Sequence, residues 1–163
     1  MRMMQLSMND GGEEPGDVRP TQSFRDGHEV IHQALDRLEQ RLDSLALAGP
    51  AEQREIMDEV ISYLAATVQP QMEWEERALY PAVDRHGSAA SLSPTATMRY
   101  EHRIIERWAT ELSRERTRPV PNAKAFLRRA DMVLGLVRAH LEKEEEVLLP
   151  VLDEAMRGEL FEP

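Results

Sequence analysis

The stretch His140-Leu141-Glu142-Lys143-Glu144-Glu145-Glu146-Val147-Leu148-Leu149-Pro150 decides the fold. His140 and Glu144 stand four residues apart, so on a helix they lie one turn apart on one face. Followed in both directions at alternating steps of four and three, that face reads Phe126, Ala130, Val133, Val137, His140, Glu144, Val147 and Val151. Such spacing is the seam of a helix packed in a bundle. The histidine and the glutamate are its only polar members. A carboxylate on a buried apolar stripe is costly unless a cation or a proton neutralises it.

The pattern occurs twice. Sixty-nine residues earlier stands Gln71-Met72-Glu73-Trp74-Glu75-Glu76-Arg77-Ala78-Leu79-Tyr80-Pro81. Its stripe is Met57, Ile61, Leu64, Val68, Gln71, Glu75, Ala78 and Ala82, in register with the first at every step. The preceding segments pair as well, with Phe24, His28, Ile31, Leu35 and Leu38 falling on Met98, His102, Ile105, Ala109 and Leu112. A long-period self-match of this kind predicts two helical hairpins related by an approximate two-fold axis.

Breakers divide the chain into four helices. Residues 1–20 mix Met, Gly, Pro and acidic side chains without periodicity and read as a disordered lead-in. Helices are expected over Ser23 to Leu47, with Ser23 or Thr21 as cap, and over Ala51 to Asp84 after Gly49-Pro50. The run from Arg85 to Pro94 has the composition of a loop. A third helix is expected over Thr95 to Arg116, and a fourth, capped by Asn122, to about Met156. Pro81 and Pro150 are expected to kink or stop the last turns, and Pro70 to bend the second helix. The expectation is an all-α, up-down-up-down four-helix bundle over residues 21–156, with 157–163 as a tail.

Composition bounds the function. A chain of 163 residues allows one domain with a real core. The formal net charge of −10 argues against nucleic acid or an anionic membrane as partner. Without cysteine there are no disulfides, thiolate metal sites or thiol nucleophiles. No apolar run approaches the roughly 18–20 residues of a membrane span, and the first residues lack a signal-peptide pattern. A soluble, cytoplasmic protein is the expectation.

The four stripes bring His28, Gln71, Glu75, His102, His140 and Glu144 to a common level, expected near mid-bundle. A single histidine on an apolar stripe is ordinarily a hydrogen-bonded core residue, and a single inward glutamate is ordinarily a mis-phased surface residue. Three imidazoles and two carboxylates at one level form a poor core and a good metal cage. This donor set suits iron, manganese or zinc, and a glutamate can bridge two ions. Glu73, Glu76, Glu142, Glu145 and Glu146 read as a solvated face, and Trp74 and Trp108 as packing or rim residues. Tyr63, Tyr80 and Tyr100 are potential donors to the cluster that periodicity alone does not position.

A lone His, then a Glu at the fourth position after Gln71, then a lone His, then His-x-x-x-Glu with Leu149-Pro150, resembles the hemerythrin-like, HHE cation-binding family over about Ser23 to Asp153. The resemblance implies a non-haem, oxo-bridged di-iron centre in a four-helix bundle, with O₂, NO or peroxide as the small partner. It implies Glu75 and Glu144 as bridges, His102 and His140 on one iron and His28 on the other. Gln71 stands where the family carries a histidine, and an amide oxygen is a weak, neutral ligand. His32, one turn beyond His28, is the expected replacement, with its repeat partner Glu106 supplementing the other position. Three functions stay open: an iron protein that binds or responds to O₂, NO, peroxide or iron; a peroxide-decomposing enzyme; and a metal-depleted or mononuclear interaction module whose protein partner the sequence does not name.

Overall fold

The computed structural model describes residues 19–86 and 94–157, and among them there is no strand. The expected lead-in up to residue 18, loop residues 87–93 and tail residues 158–163 lie outside the described residues. Four long helices form the bundle, each packed against the two beside it. The first helix is Gln22–Asp43 and the third Pro94–Arg116. The second runs over residues 50–86 as Pro50–Tyr63, Leu64–Val68, Gln69–Trp74, Glu75–Leu79 and Tyr80–His86. The fourth runs over residues 123–155 as Ala123–Lys143, Glu144–Leu148 and Leu149–Ala155.

Leu64–Val68, Glu75–Leu79 and Glu144–Leu148 are π-turns. Each closes with a bond across five residues, from Gln69 N–H to Leu64 O, Tyr80 N–H to Glu75 O and Leu149 N–H to Glu144 O. In each case the next residue is a proline: Pro70, Pro81 or Pro150. Proline lacks the N–H and its ring clashes with the carbonyl four residues back, so a single widened turn relieves the clash and lets the helix continue. Of the two outcomes expected at Pro81 and Pro150, a kink or a stop, the stop does not occur. Seven more helical residues follow each π-turn, Tyr80–His86 and Leu149–Ala155.

The widened turns also shift the seam. Strict α periodicity carries Glu144 on to Val147 and Val151, yet Val147 is 46 % exposed and Leu148, Leu149 and Leu152 are buried. The extra residue in the turn rotates every later side chain by about one α position, or roughly 100°. In the second helix the same shift buries Leu79, Tyr80 and Val83.

The caps differ from the expectation at one end and agree at another. Asn122 caps the fourth helix, its Oδ1 accepting from Ala125 N–H at 3.0 Å. Thr21 sits at the cap position of the first helix but makes no side-chain cap. Its hydroxyl and N–H both donate to Asp153 Oδ1, at 2.8 and 3.0 Å, and Arg25 donates to Asp153 Oδ2 at 3.1 Å. The repeat carries the same clamp to the other pair of helices: Thr95 of the third helix donates to Asp84 of the second at 2.7 Å and Arg99 reaches the same carboxylate at 3.5 Å. The repeat read in the apolar seam thus extends to the polar ties between helix ends.

The core is in two parts. A larger cluster runs from Leu45 and Ile56 through Leu134 to Met72 and Leu141. A smaller one, of Leu79, Tyr80, Ala82, Val83, Met98, Leu148, Leu149 and Leu152, closes the other end. The buried polar residues His28, Glu75, His102, His140 and Glu144 bear on the boundary between them. His28 lies six residues after Gln22, about 9 Å along the helix, so the polar layer sits toward one end of the bundle rather than at its middle.

Candidate metal centre

The first, second and third helices contribute one residue each to the polar layer, His28, Glu75 and His102, and the fourth contributes two, His140 and Glu144. Glu75, His102, His140 and Glu144 each offer one ligand atom, and these atoms all lie within 4.8 Å of one another. His102 Nε2 is 3.0 Å from His140 Nε2 and 3.1 Å from Glu75 Oε2. Glu144 Oε1 is 3.6 Å from His140 Nε2, and Glu144 Oε2 is 3.4 Å from His28 Nε2. The Glu144 carboxylate therefore reaches both the His140 side and the His28 side.

The imidazoles are held from behind. His28 Nδ1 is 3.0 Å from Glu145, His102 Nδ1 2.8 Å from Glu76 and His140 Nδ1 3.0 Å from Glu101. A carboxylate on Nδ1 takes the ring proton there and leaves the Nε2 lone pair directed at the centre, the arrangement that orients metal-binding histidines. Lys143 in turn bonds to Glu101.

Electrostatics shows what the protein lacks without a cation. Burial pushes the Glu75 carboxyl upward, but the adjoining His102 and His140 imidazoles outweigh it and hold it at about 2. Burial and the Glu75 charge raise Glu144, against the pull of His28, His140 and Tyr80. Burial disfavours a charged His140, yet Glu75, Glu144 and Glu101 together raise its pKa to about 9. His28 Nε2, Glu75 Oε2 and Glu144 Oε2 are buried and have no hydrogen-bond partner. Orphaned atoms of this kind are expensive in a core; His28 Nε2 lies 3.4 Å from Glu144 Oε2 and Glu75 Oε2 3.1 Å from His102 Nε2, an arrangement that fits bound cations. An all-nitrogen-and-oxygen donor set suits a transition-metal ion of intermediate softness.

A family model matches residues 13–152, and it describes the hemerythrin HHE cation binding domain. The chain belongs to this family. Comparisons with curated proteins and with solved structures match nothing. The HHE domain assignment and the buried His/Glu cluster agree on metal binding as the property of this fold. No helix among the described residues is long and apolar enough to cross a membrane.

Within this HHE domain two expected residues fall away from the cluster. His32 is half-buried, with the Arg138 guanidinium 3.4 Å from its Nδ1 and Arg138 bonded to Asp36 and Glu39. Glu106 is exposed and lines a groove between the second and third helices. The reason is the same for both: one turn inward from His28 and His102 the seam is taken by Ile31 and Ile105, three residues on, so the fourth residue lies past the edge of the seam. Gln71 is half-buried and donates from its amide to Glu75 Oε1 at 2.9 Å.

Several residues at the site were not legible from periodicity. Glu76 and Glu145, expected on a solvated face, brace His102 and His28. Glu101 lies off the third-helix seam and braces His140. Tyr80 is fully buried, and its hydroxyl donates to Glu144 Oε1 at 2.7 Å while lying 2.9 Å from His102 Nε2 and 3.3 Å from His140 Nε2. Five α-helical residues from Glu75 to Tyr80 would leave it off the inner face; the π-turn returns it there. The signal was the proline at position 81, read as a kink or stop of the last turn and not as a widened turn.

Proposed function

We propose that this protein holds a non-haem di-iron centre and uses it to bind or respond to a small oxidant or diatomic molecule (O₂, NO or peroxide) or to iron itself. The observation that carries the reading is the convergence of His28, Glu75, His102, His140 and Glu144, with three buried donor atoms left without partners. His102 and His140 would serve one ion and His28 the other, with Glu75 and Glu144 between them. Manganese or zinc would be accepted by the same donors. Iron bound there would supply one-electron exchange between its ferrous and ferric states.

The chain's own contribution is positioning and exclusion. Glu145, Glu76 and Glu101 fix the three imidazoles, and Tyr80 supplies a hydrogen-bond donor inside the cluster. Met72, Ile105 and Val137 on one side, and Leu79 and Leu148 on the other, keep bulk water from the carboxylates. In such a setting charges interact more strongly than in water and the ligand geometry is preorganised.

The test is metal analysis of protein produced in iron-supplied cells, together with anaerobic reconstitution with ferrous iron. About two irons per chain, with near-ultraviolet absorption that changes on exposure to O₂ or NO, supports the reading. A second reading, a single bound ion, is favoured by Gln71 at the histidine position; one ion per chain under saturating iron would select it. Steady peroxide consumption would instead identify a peroxide-decomposing enzyme at the same site. Protein that takes up no metal would leave an interaction module.

A further inference from the structure

In the register of the sequence repeat, the departure at Gln71 does not stand alone. His140 corresponds to Gln71, its brace Glu101 corresponds to Gly27, and Lys143, which bonds to Glu101, corresponds to Trp74. In the second hairpin these three positions form a chain of contacts, lysine to glutamate to imidazole, ending at the centre. In the first hairpin the ligand, its brace and the brace's counter-charge are replaced together. Trp74 packs on Phe24 at 5.2 Å between ring centroids, and Phe24 on the His28 ring at 4.3 Å. The Gln71 amide donates to Glu75 and so turns a donor, not a lone pair, toward the carboxylate.

Gly27 is not required by the backbone. It lies inside a helix, and a Cβ built on it meets nothing within 4 Å. Glycine in a helix interior is disfavoured relative to alanine. A side chain would fit there, and the chain does without one beside the position that lacks an imidazole.

Resting on the di-metal reading above, we infer that the two cation positions are unequal: the one among Glu75, His102, His140 and Glu144 holds its ion firmly, and the one at His28 binds a divalent cation weakly and reversibly. The concerted loss of ligand, brace and counter-charge on one side of an otherwise repeated site sets the difference. Loss of the brace behind a ligating histidine alone weakens metal binding by about 10–100-fold, and here the imidazole is gone as well.

The experiment is an anaerobic calorimetric titration of the metal-free full chain with ferrous iron, repeated with manganous ion as a redox-silent probe. The wild type is expected to show two steps separated by at least about tenfold in affinity. The paired exchange Gly27→Glu with Gln71→His is expected to strengthen the second step about 10–100-fold and leave the first unchanged. Glu101→Gln is expected to do the reverse, weakening the first step by a similar factor. Retention of the untouched step in each variant, with unchanged helical circular dichroism, shows that the variant is folded. Two equal steps in the wild type, or a second step that the paired exchange does not move, overturns the inference. One ion in the wild type and two in the paired exchange supports it; one in both overturns it. A wild type that binds no ion overturns the di-metal reading itself, a different result.

Discussion

The hydroxyl of Tyr80 lies 2.7 Å from Glu144 Oε1, donating to a carboxylate that comes from the opposite hairpin. Burial and the charges of Glu144 and Glu75 raise the phenol far above its ordinary pKa, so it stays a donor at working pH. Tyr80→Phe removes the donor and leaves a buried carboxylate oxygen less satisfied. The metal-free protein should lose about 1–3 kcal/mol in urea unfolding. The loaded protein should lose less, because a cation then engages Glu144.

Removing the charge has the opposite sign. Glu144→Gln takes a buried carboxylate away from Glu75, with which it competes for the same few protons. The metal-free variant should melt at or above the wild-type temperature, and the rise in Tm on adding metal should vanish. For the wild type that rise corresponds to about 2.7 kcal/mol at a free metal concentration of 100 times Kd. A metal-dependent stabilisation that survives Glu144→Gln would show that this carboxylate does not hold the ion.

His32 and His28 should separate in metal content. His32 sits beside the Arg138 guanidinium, a poor neighbour for a cation, whereas His28 Nε2 is an orphaned atom 3.4 Å from Glu144. His32→Ala is expected to leave the number of bound ions unchanged and His28→Ala to lower it, as counted by calorimetric titration of each metal-free variant with ferrous iron. A lowered count in the His32 variant would restore His32 as a ligand.

The π-turn at Glu144–Leu148 can be tested by two neighbouring truncations. Leu148 is fully buried and Val147 half-exposed. Leu148→Ala should cost about 2–5 kcal/mol and Val147→Ala less than about 0.5 kcal/mol. The reverse order would mean that α periodicity continues through the turn.

Acid should loosen the tie between the first and fourth helices. Burial pushes Asp153 upward, but bonds from the Thr21 hydroxyl and N–H and from Arg25 outweigh it and hold its pKa below the ordinary value. A carboxyl depressed in the folded state contributes stability above its unfolded pKa and loses it as pH falls through the folded value. Asp153→Asn should cost about 1 kcal/mol at neutral pH, and the difference from wild type should shrink as the pH drops below about 4. Denaturant unfolding at pH 7 and pH 3 measures both. A difference that does not shrink at all between pH 7 and pH 3 would exclude the ionised carboxylate as its source.

What the amino-acid sequence determined by itself was everything that depends on spacing along one helix. Alternating steps of four and three placed His140 with Glu144, and the same steps sixty-nine residues earlier placed Glu75; the lone His28 and His102 followed from the repeat. Those relations are local, set by 3.6 residues per turn, and a linear pattern is enough to carry them. Tertiary structure alone decided which carboxylate backs which imidazole, because Glu145 with His28 and Glu101 with His140 are partners across helices, 117 and 39 residues apart. It also decided the phase beyond each π-turn, and with it the burial of Tyr80 and Leu148 in place of Ala78 and Val147 on the inner face. Proline's missing N–H permits a widened turn, but whether the chain breaks there or runs on is decided by the packing of the opposite helices.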